Sequence, residues 1–442
     1  MSEERVVILG AAGRDFHVFN TAYRDRPHSR VVAFTAQQIP HIEHRRYPPE
    51  LAGPSYPEGI PIVPEDELEA VIERERVTRC VMAYSDVSHE YVMHLASRVN
   101  AVGPDFEIGG VQRTMLESSK PVVAVCASRT GAGKSQTSRA VVRVLRSHGL
   151  RVSVVRHPMP YGDLLAQRVQ RFETMEDLDR YDVTIEERED YEPHIANGSV
   201  VYTGVDYAEI LRLAEEDADV VLWDGGNNDF SFFRADVYIT VVDPHRPGHE
   251  VSYYPGETNL RLADAVVVNK VDTADPAGVE QVLANVRHAN PGALVVRAAS
   301  PITVADPAVL AGRRVLAIED GPTLTHGGAA IGAAVLGARA AGAAELVDPR
   351  PFLTGELVET FAKYPTLGPL LPAMGYGQGQ IDDLEATLRK AAEGGVEAVA
   401  VGTPIDLAGL VDIPVPHTRV RYELEVLGEP TLEEALRPIL EV

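Results

Sequence analysis

The stretch Pro121–Leu145, PVVAVCASRTGAGKSQTSRAVVRVL, constrains this chain more than any other. Val122 to Cys126 is an apolar run of strand length, Ser128 to Ser135 is a loop of small residues, and Ala140, Val141, Val144 and Leu145 then recur at helical spacing. A buried strand, a glycine loop closing on Gly-Lys-Ser and a following helix together make a phosphate cradle. Gly131 and Gly133 let the backbone N–H groups turn inward, and Thr130, Ala132, Lys134, Ser135 and Gln136 complete the expected nucleotide contacts. Lys134 can reach the β- and γ-phosphate oxygens. The Ser135 hydroxyl can take a Mg²⁺ position, and the helix presents its N-terminus to the anion. The loop opens on Ser128 where glycine is usual, but Thr130-Gly-Ala-Gly-Lys-Ser135 is intact.

Later strand ends carry matching chemistry. Val220 to Trp223 runs into Asp224-Gly-Gly, the layout of a carboxylate that holds Mg²⁺ directly or through water. Gly225 and Gly226 are expected to let the backbone approach the γ-phosphate. Ala265 to Val268 runs into Asn269-Lys270-Val271-Asp272, the base-reading pattern of many GTPases. In that pattern Asp272 would accept from guanine N1–H and its 2-amino group, Lys270 would pack its stem on the base, and Asn269 would tie the loop to the phosphate cradle. The pattern also occurs in proteins that use ATP, so ATP and GTP both stay open. The strand Val152 to Val155 leads into Arg156-His157 and a proline-containing loop ending at Asp163, on the same sheet edge as the cradle. The acidic run 173–193 is either an exposed helix face or a switch-like segment, in which Asp163 or a glutamate would serve Mg²⁺ or water.

At 442 residues the chain has room for two or three domains. We expect an α/β protein: a Rossmann-like parallel sheet over 1–118, a P-loop NTPase domain over 119–300, and a C-terminal α/β region over 301–442 that completes the site. No apolar window is long enough to cross a membrane, the first residues enter a strand at once, and a cytoplasmic setting is expected. Cys80 and Cys126 lie inside apolar runs and read as packed thiols. The net charge of -24 argues against nonspecific nucleic-acid binding. Only five lysines are present (Lys120, Lys134, Lys270, Lys363 and Lys390), and two of them fall in nucleotide-motif positions.

Near the N-terminus, Gly10-Ala-Ala-Gly13 is either a dinucleotide-type loop or a tight turn, and Arg14, Asp15 and His17 follow it at the sheet edge where open α/β sheets bind ligands. Arg45 and Arg46, with His41 and His44, form a basic loop that is either an anion site or a solvated surface. Thr323 to Gly328, including His326, is either a second anion pocket or a capped helix start.

With these motifs in view, the chain resembles the cyclic 2,3-diphosphoglycerate synthetase family and its close relatives described as predicted GTPases. The resemblance runs through GAAGRDFHVFN (10–20), SRTGAGKS (128–135), VRHPMPYGDL (155–164), WDGGNND (223–229), EDGPTLTHGG (319–328) and VRYELEVLGEPTLEE (420–434). It implies an ATP- and Mg²⁺-dependent ligase that closes 2,3-diphosphoglycerate into a cyclic pyrophosphate with release of ADP and phosphate, and it implies a homodimer. Such a small phosphorylated anion demands positive charge. Lys134, Arg14, His17, Arg45, Arg46, Arg156, His157, Arg246 and His326 are the candidates to supply it, with Lys134, Asp224, Arg156 and Asp163 at the chemistry. Two other readings remain. A GTPase switch or metallochaperone is favoured by Asn269–Asp272, although the chain has no Cys-x-x-Cys or His-rich tract to carry a metal. A noncatalytic nucleotide sensor is opposed by the intact Lys134, Ser135 and Asp224.

Overall fold

The computed structural model describes residues 3–37, 44–157, 162–181, 183–226, 229–320, 332–373 and 378–441. Three sheets organise them, and the α/β class expected from the sequence is found.

The first sheet has the strand order 46–47, 60–64, 29–36, 4–9, 79–82, 105–107. All its pairings are parallel except that of Arg46–Tyr47 with Ile60–Pro64. Val6 to Leu9 is fully buried, as a strand covered on both faces must be.

The second sheet carries the phosphate loop. Its order is Gln170–Phe172, Val200–Thr203, Val152–Arg156, Val220–Trp223, Val122–Ala127, Val237–Val242, Ala265–Val268, Leu294–Ala299 and Glu425–Val426. Only the two edge strands run antiparallel. Val122–Ala127 is buried throughout and flanked on both sides, so its carboxyl end is central. The strand Val220–Trp223 lies between it and Val152–Arg156. Parallel strands deliver their carboxyl ends to one edge, and so the residues after Ala127, Trp223 and Val155 meet there.

The third sheet runs 302–304, 417–422, 398–401, 314–320, 345–346, with 371–373 also paired to 314–320. The stretch 301–442, expected as one C-terminal unit, is divided. Strand Glu425–Val426 joins the phosphate-loop sheet beside Ala298 and Ala299. Helix Leu432–Leu440, opened by a Thr431/Glu434 capping box, buries Leu432, Leu436 and Ile439 in the core beneath helix Lys134–Ser147.

A two-stranded pairing, Val87–Ser88 with Tyr253–Tyr254, joins the first sheet's domain to the second. Cys80 and Cys126 are free, buried thiols, and burial pushes both up to about 12. Among the described residues no helix is long and apolar enough to cross a membrane.

Candidate active site

Three successive carbonyls of the phosphate loop are each held by a side chain. Arg246 donates to Thr130 O at 2.8 Å, Lys270 Nζ to Gly131 O at 2.6 Å, and Asn269 Nδ2 to Ala132 O at 2.9 Å. Because a trans peptide is planar, a carbonyl drawn outward turns the next N–H inward. The Gly131 and Gly133 N–H groups therefore turn toward the cradle, while Ala132 N–H donates to Arg129 O at 3.2 Å and closes the loop's own turn. Gly133 has φ 111°, and a Cβ there would strike the Asn269 amide, so only glycine fits. Asp243 pairs with both Lys270 (3.2 Å) and Arg246 (3.0 Å), fixing the two cations that grip the loop. Asp272 is exposed and accepts from Ser300 N–H at 3.3 Å. Gln136 is buried, and its Oε1 accepts from Ser300 Oγ at 3.0 Å, bracing the helix against the base-side loop.

Asp224, 1 % exposed, is the centre of a buried charge network. Its Oδ1 accepts from Lys134 Nζ at 2.6 Å and from Ser138 Oγ at 2.7 Å. Its Oδ2 pairs with Arg156 Nη1 at 2.9 Å and His194 Nε2 at 3.0 Å. Burial opposes the charge, but Arg156 and Lys134 more than offset it and hold the carboxyl well below the ordinary range. Arg156 also pairs with Asp190. Asp190 and His194 are four residues apart on helix Ile185–Ala196, so they share the face turned to the site. That helix starts from a Thr184/Glu187 capping box and buries Glu186, Glu187 and Glu189. The acidic run is thus divided: Glu173, Glu176 and Asp179 are exposed, while Glu186, Glu187 and Glu189 are buried and Asp190 joins the network.

The first domain reaches into this site. Asp86, at the end of the strand Arg79–Met82 and its following turn, sends Oδ1 to Arg129 Nε (2.7 Å) and Oδ2 to Thr130 N–H (3.2 Å). Arg129 also stacks over Tyr253 at 3.7 Å. Ser85 donates to Asp229, a buried carboxyl pushed up to about 7 by burial. His157 lies 3.6 Å from Asp229 and packs among Trp223, Phe232 and Tyr207.

Several expectations change on this geometry. In the Gly10–Gly13 turn the amides expected to meet a dinucleotide are engaged internally: Gly10 N–H donates to Thr35 Oγ1, and Ala12 and Gly13 N–H donate to Asp15. A Cβ on Gly13 would strike His157, and one on Gly225 would strike the Trp223 indole. Gly225 therefore makes room for a core ring and not for a γ-phosphate. His17 is a packed histidine: 1 % exposed, its ring stacked on Phe232 at 4.1 Å and Nε2 against Thr114 O at 2.6 Å, with burial lowering it to about 4. Asp163 is exposed, folds back onto Leu165 N–H at 2.9 Å, and stands outside the Asp224 network. Arg46 donates to Glu58 O (2.6 Å) and Gly59 O (3.2 Å), holding its own hairpin, while Arg45 reaches Gly162 O. His41 and His326 lie outside the described residues.

Asp86, Ser138, Asp190 and His194 were not singled out from the sequence. The only signal for Asp86 was its place just beyond a strand's carboxyl end, where open sheets bind ligands.

No family model matches the chain. The arginine synthetase ArcE of Thermococcus kodakarensis (strain ATCC BAA-918 / JCM 12380 / KOD1) is 57 % identical over 434 residues, covering 98 % of this chain and 96 % of that protein. The chain belongs to the arginine synthetase ArcE family. The ArcE relative is a synthetase, as the sequence resemblance implied at the coarse level; its name speaks of arginine where the resemblance implied cyclic 2,3-diphosphoglycerate. Among solved structures, this ArcE-family chain aligns with LpxK from Aquifex aeolicus in complex with ATP at a TM-score of 0.45 and 11 % identity, over 84 % of this chain and 99 % of that one. It aligns with a DUF1611 family protein from Anabaena variabilis ATCC 29413 at a TM-score of 0.23 and 14 % identity, over 66 % and 94 %.

Proposed function

We propose that this protein is a nucleotide-dependent synthetase that builds the guanidinium group of arginine. The full-length match to an arginine synthetase carries the reading. The phosphate loop and the Asp224 network supply a means for it, since phosphoryl transfer needs little from a protein beyond positioning and charge.

Chemistry narrows the substrate. A γ-phosphoryl group passes to an oxygen nucleophile, and the compound that differs from arginine by one oxygen in place of =NH is the ureido amino acid citrulline. Its ureido oxygen attacks the γ-phosphorus and the nucleoside diphosphate leaves. Ammonia then attacks the activated carbon, phosphate departs, and a proton is lost to give the guanidinium product. The sum is ureido acid, ammonia and NTP to arginine, NDP and phosphate. Lys134 would lie along the β- and γ-oxygens and Arg156 would meet the charge that develops on the transferring group.

The donors present suit Mg²⁺ held mostly by phosphates and water. The Ser135 hydroxyl would be its protein ligand and Asp224, whose oxygens already face Lys134, Ser138, Arg156 and His194, would act through water. When bound, the ion neutralises charge between the β- and γ-phosphates. The same reading includes a homodimer in the cytoplasm, using ATP or GTP.

A second reading, closure of 2,3-diphosphoglycerate, is favoured by the motif set that runs from GAAGRDFHVFN to VRYELEVLGEPTLEE. One experiment separates the two. Phosphate release is measured with Mg²⁺ and ATP or GTP, in the presence of citrulline and ammonium or of 2,3-diphosphoglycerate. Strong stimulation by citrulline and ammonium, with arginine as product, is expected. Stimulation by the bisphosphate alone, with a cyclic product in the ³¹P spectrum, would replace this reading with the second. Slow GTP hydrolysis indifferent to both would point instead to a GTPase acting on a partner.

A further inference from the structure

Four arginines are buried among the described residues: Arg14, Arg129, Arg139 and Arg156. Three have carboxylate partners. Arg129 pairs with Asp86 at 2.7 Å, Arg139 with Glu423 at 3.5 Å, and Arg156 with Asp224 at 2.9 Å. Arg14 is the exception. It is 3 % exposed, its Nη2 donates to the Tyr254 hydroxyl, and its Nε and Nη1 are buried with no hydrogen-bond partner among the described residues. Asp229 feels its charge without forming an ion pair with it. The guanidinium lies over the rings of Phe230 (4.2 Å) and Tyr254 (5.0 Å).

A buried, unpaired cation is costly, and a protein that keeps one commonly reserves it for an anion that arrives from outside. Arg14 lines a pocket built from residues 14–114 and closed by Phe230, together with Tyr23, Glu107, Arg113 and Thr114. Arg113 cannot serve the same purpose, because Glu107 already holds it at 2.6 Å. The pocket thus offers one uncommitted cation among largely apolar walls, which suits a monoanion better than a bisphosphate. Tyr254, which meets Arg14, and Tyr253, on which Arg129 of the phosphate loop stacks, are consecutive residues of one strand.

We propose that this pocket seats the amino-acid end of the acceptor substrate, with Arg14 receiving its α-carboxylate. The assignment rests on the reading of function above and deepens it. The apolar walls would hold the aliphatic stem.

The test compares wild type with Arg14→Gln and Arg14→Lys, using KM values for nucleotide and ureido amino acid. It adds the inhibition constant of the ureido amine that lacks the α-carboxylate. Arg14→Gln is expected to raise the amino-acid KM about tenfold or more, to leave the nucleotide KM nearly unchanged, and to leave inhibition by the decarboxylated amine nearly unchanged. Arg14→Lys should recover part of the loss. An unchanged amino-acid KM in Arg14→Gln would overturn the assignment. Equal weakening of the acid and the amine would also overturn it, because that pattern marks a packing role. If wild type does not turn over the ureido acid at all, the functional reading falls and this assignment with it. Turnover by wild type with no KM change in the variant sinks the assignment alone.

Discussion

Asp86 of the N-terminal domain holds Arg129 of the phosphate loop, Oδ1 to Nε at 2.7 Å, and its other oxygen accepts from the neighbouring Thr130 N–H at 3.2 Å. The loop that would cradle phosphate is therefore shaped from two domains. Its carbonyls are drawn back by Arg246, Lys270 and Asn269, and its first turn is fixed by a carboxylate from another sheet. Both side chains of the pair are about nine-tenths buried.

Asp86→Ala should leave the Arg129 guanidinium buried without an anion. We expect a loss of about 3 kcal/mol in stability, read by thermal or denaturant melting, together with a raised nucleotide KM. Asp86→Asn keeps an acceptor for Thr130 N–H and should fall between the two. Normal nucleotide affinity in Asp86→Ala would mean that the pair braces the domains without shaping the loop.

Lys134→Ala should reduce turnover on the order of a thousandfold. The fold should survive, since Asp224 keeps Ser138, Arg156 and His194 as partners. The check is phosphate release set beside a melting curve; loss of turnover with a near-native melt is the expected result.

Asp272→Ala should erode the preference between GTP and ATP while sparing turnover at saturating nucleotide. Asp272 is exposed and accepts from a backbone N–H at a long 3.3 Å, so removing it should disturb little structure. The ratio of kcat/KM for the two nucleotides is the readout, and a shift of about tenfold or more is expected. An unchanged ratio would place base recognition elsewhere.

Asp229→Asn should change how stability depends on pH. Burial raises this carboxyl to about 7, above its ordinary 3.8, with Arg14 and Ser85 opposing the shift and Asp15 and Asp86 adding to it. Between those two values the folded state binds the proton more tightly than the unfolded chain does. Stability from this group therefore falls as pH rises through that window, and the cost is fully present above about 7. The variant carries no such charge. Relative to wild type it should gain stability between about pH 4 and pH 7, by up to about 4 kcal/mol, and keep that advantage above about pH 7. A difference between the two that does not vary with pH would show that Asp229 titrates normally.

Much of this architecture is legible in the sequence because it is local. The apolar run before Ser128, the glycines and the helical spacing of Ala140, Val141 and Leu145 lie within one continuous stretch. The strand before Asp224 and the capping box that opens helix Leu432–Leu440 are equally short-range. The parallel sheets follow from alternating strands and helices. What local reading mistook were residues whose surroundings are remote. Gly225 looked like a phosphate glycine until the Trp223 indole occupied its missing side chain's place. His17 looked like a ligand until it proved to be stacked on Phe232, more than 200 residues along the chain.

By itself, then, the sequence determined the α/β class, the phosphate loop and the strand ends that surround it, because periodicity and turn chemistry act over a few residues. Only the tertiary structure decided which charges meet. Asp86 on Arg129, His194 and Arg156 on Asp224, and Arg14 with no carboxylate partner among the described residues are outcomes of packing. A buried charge takes its meaning from the atoms that replace its water, and those atoms come from distant parts of the chain.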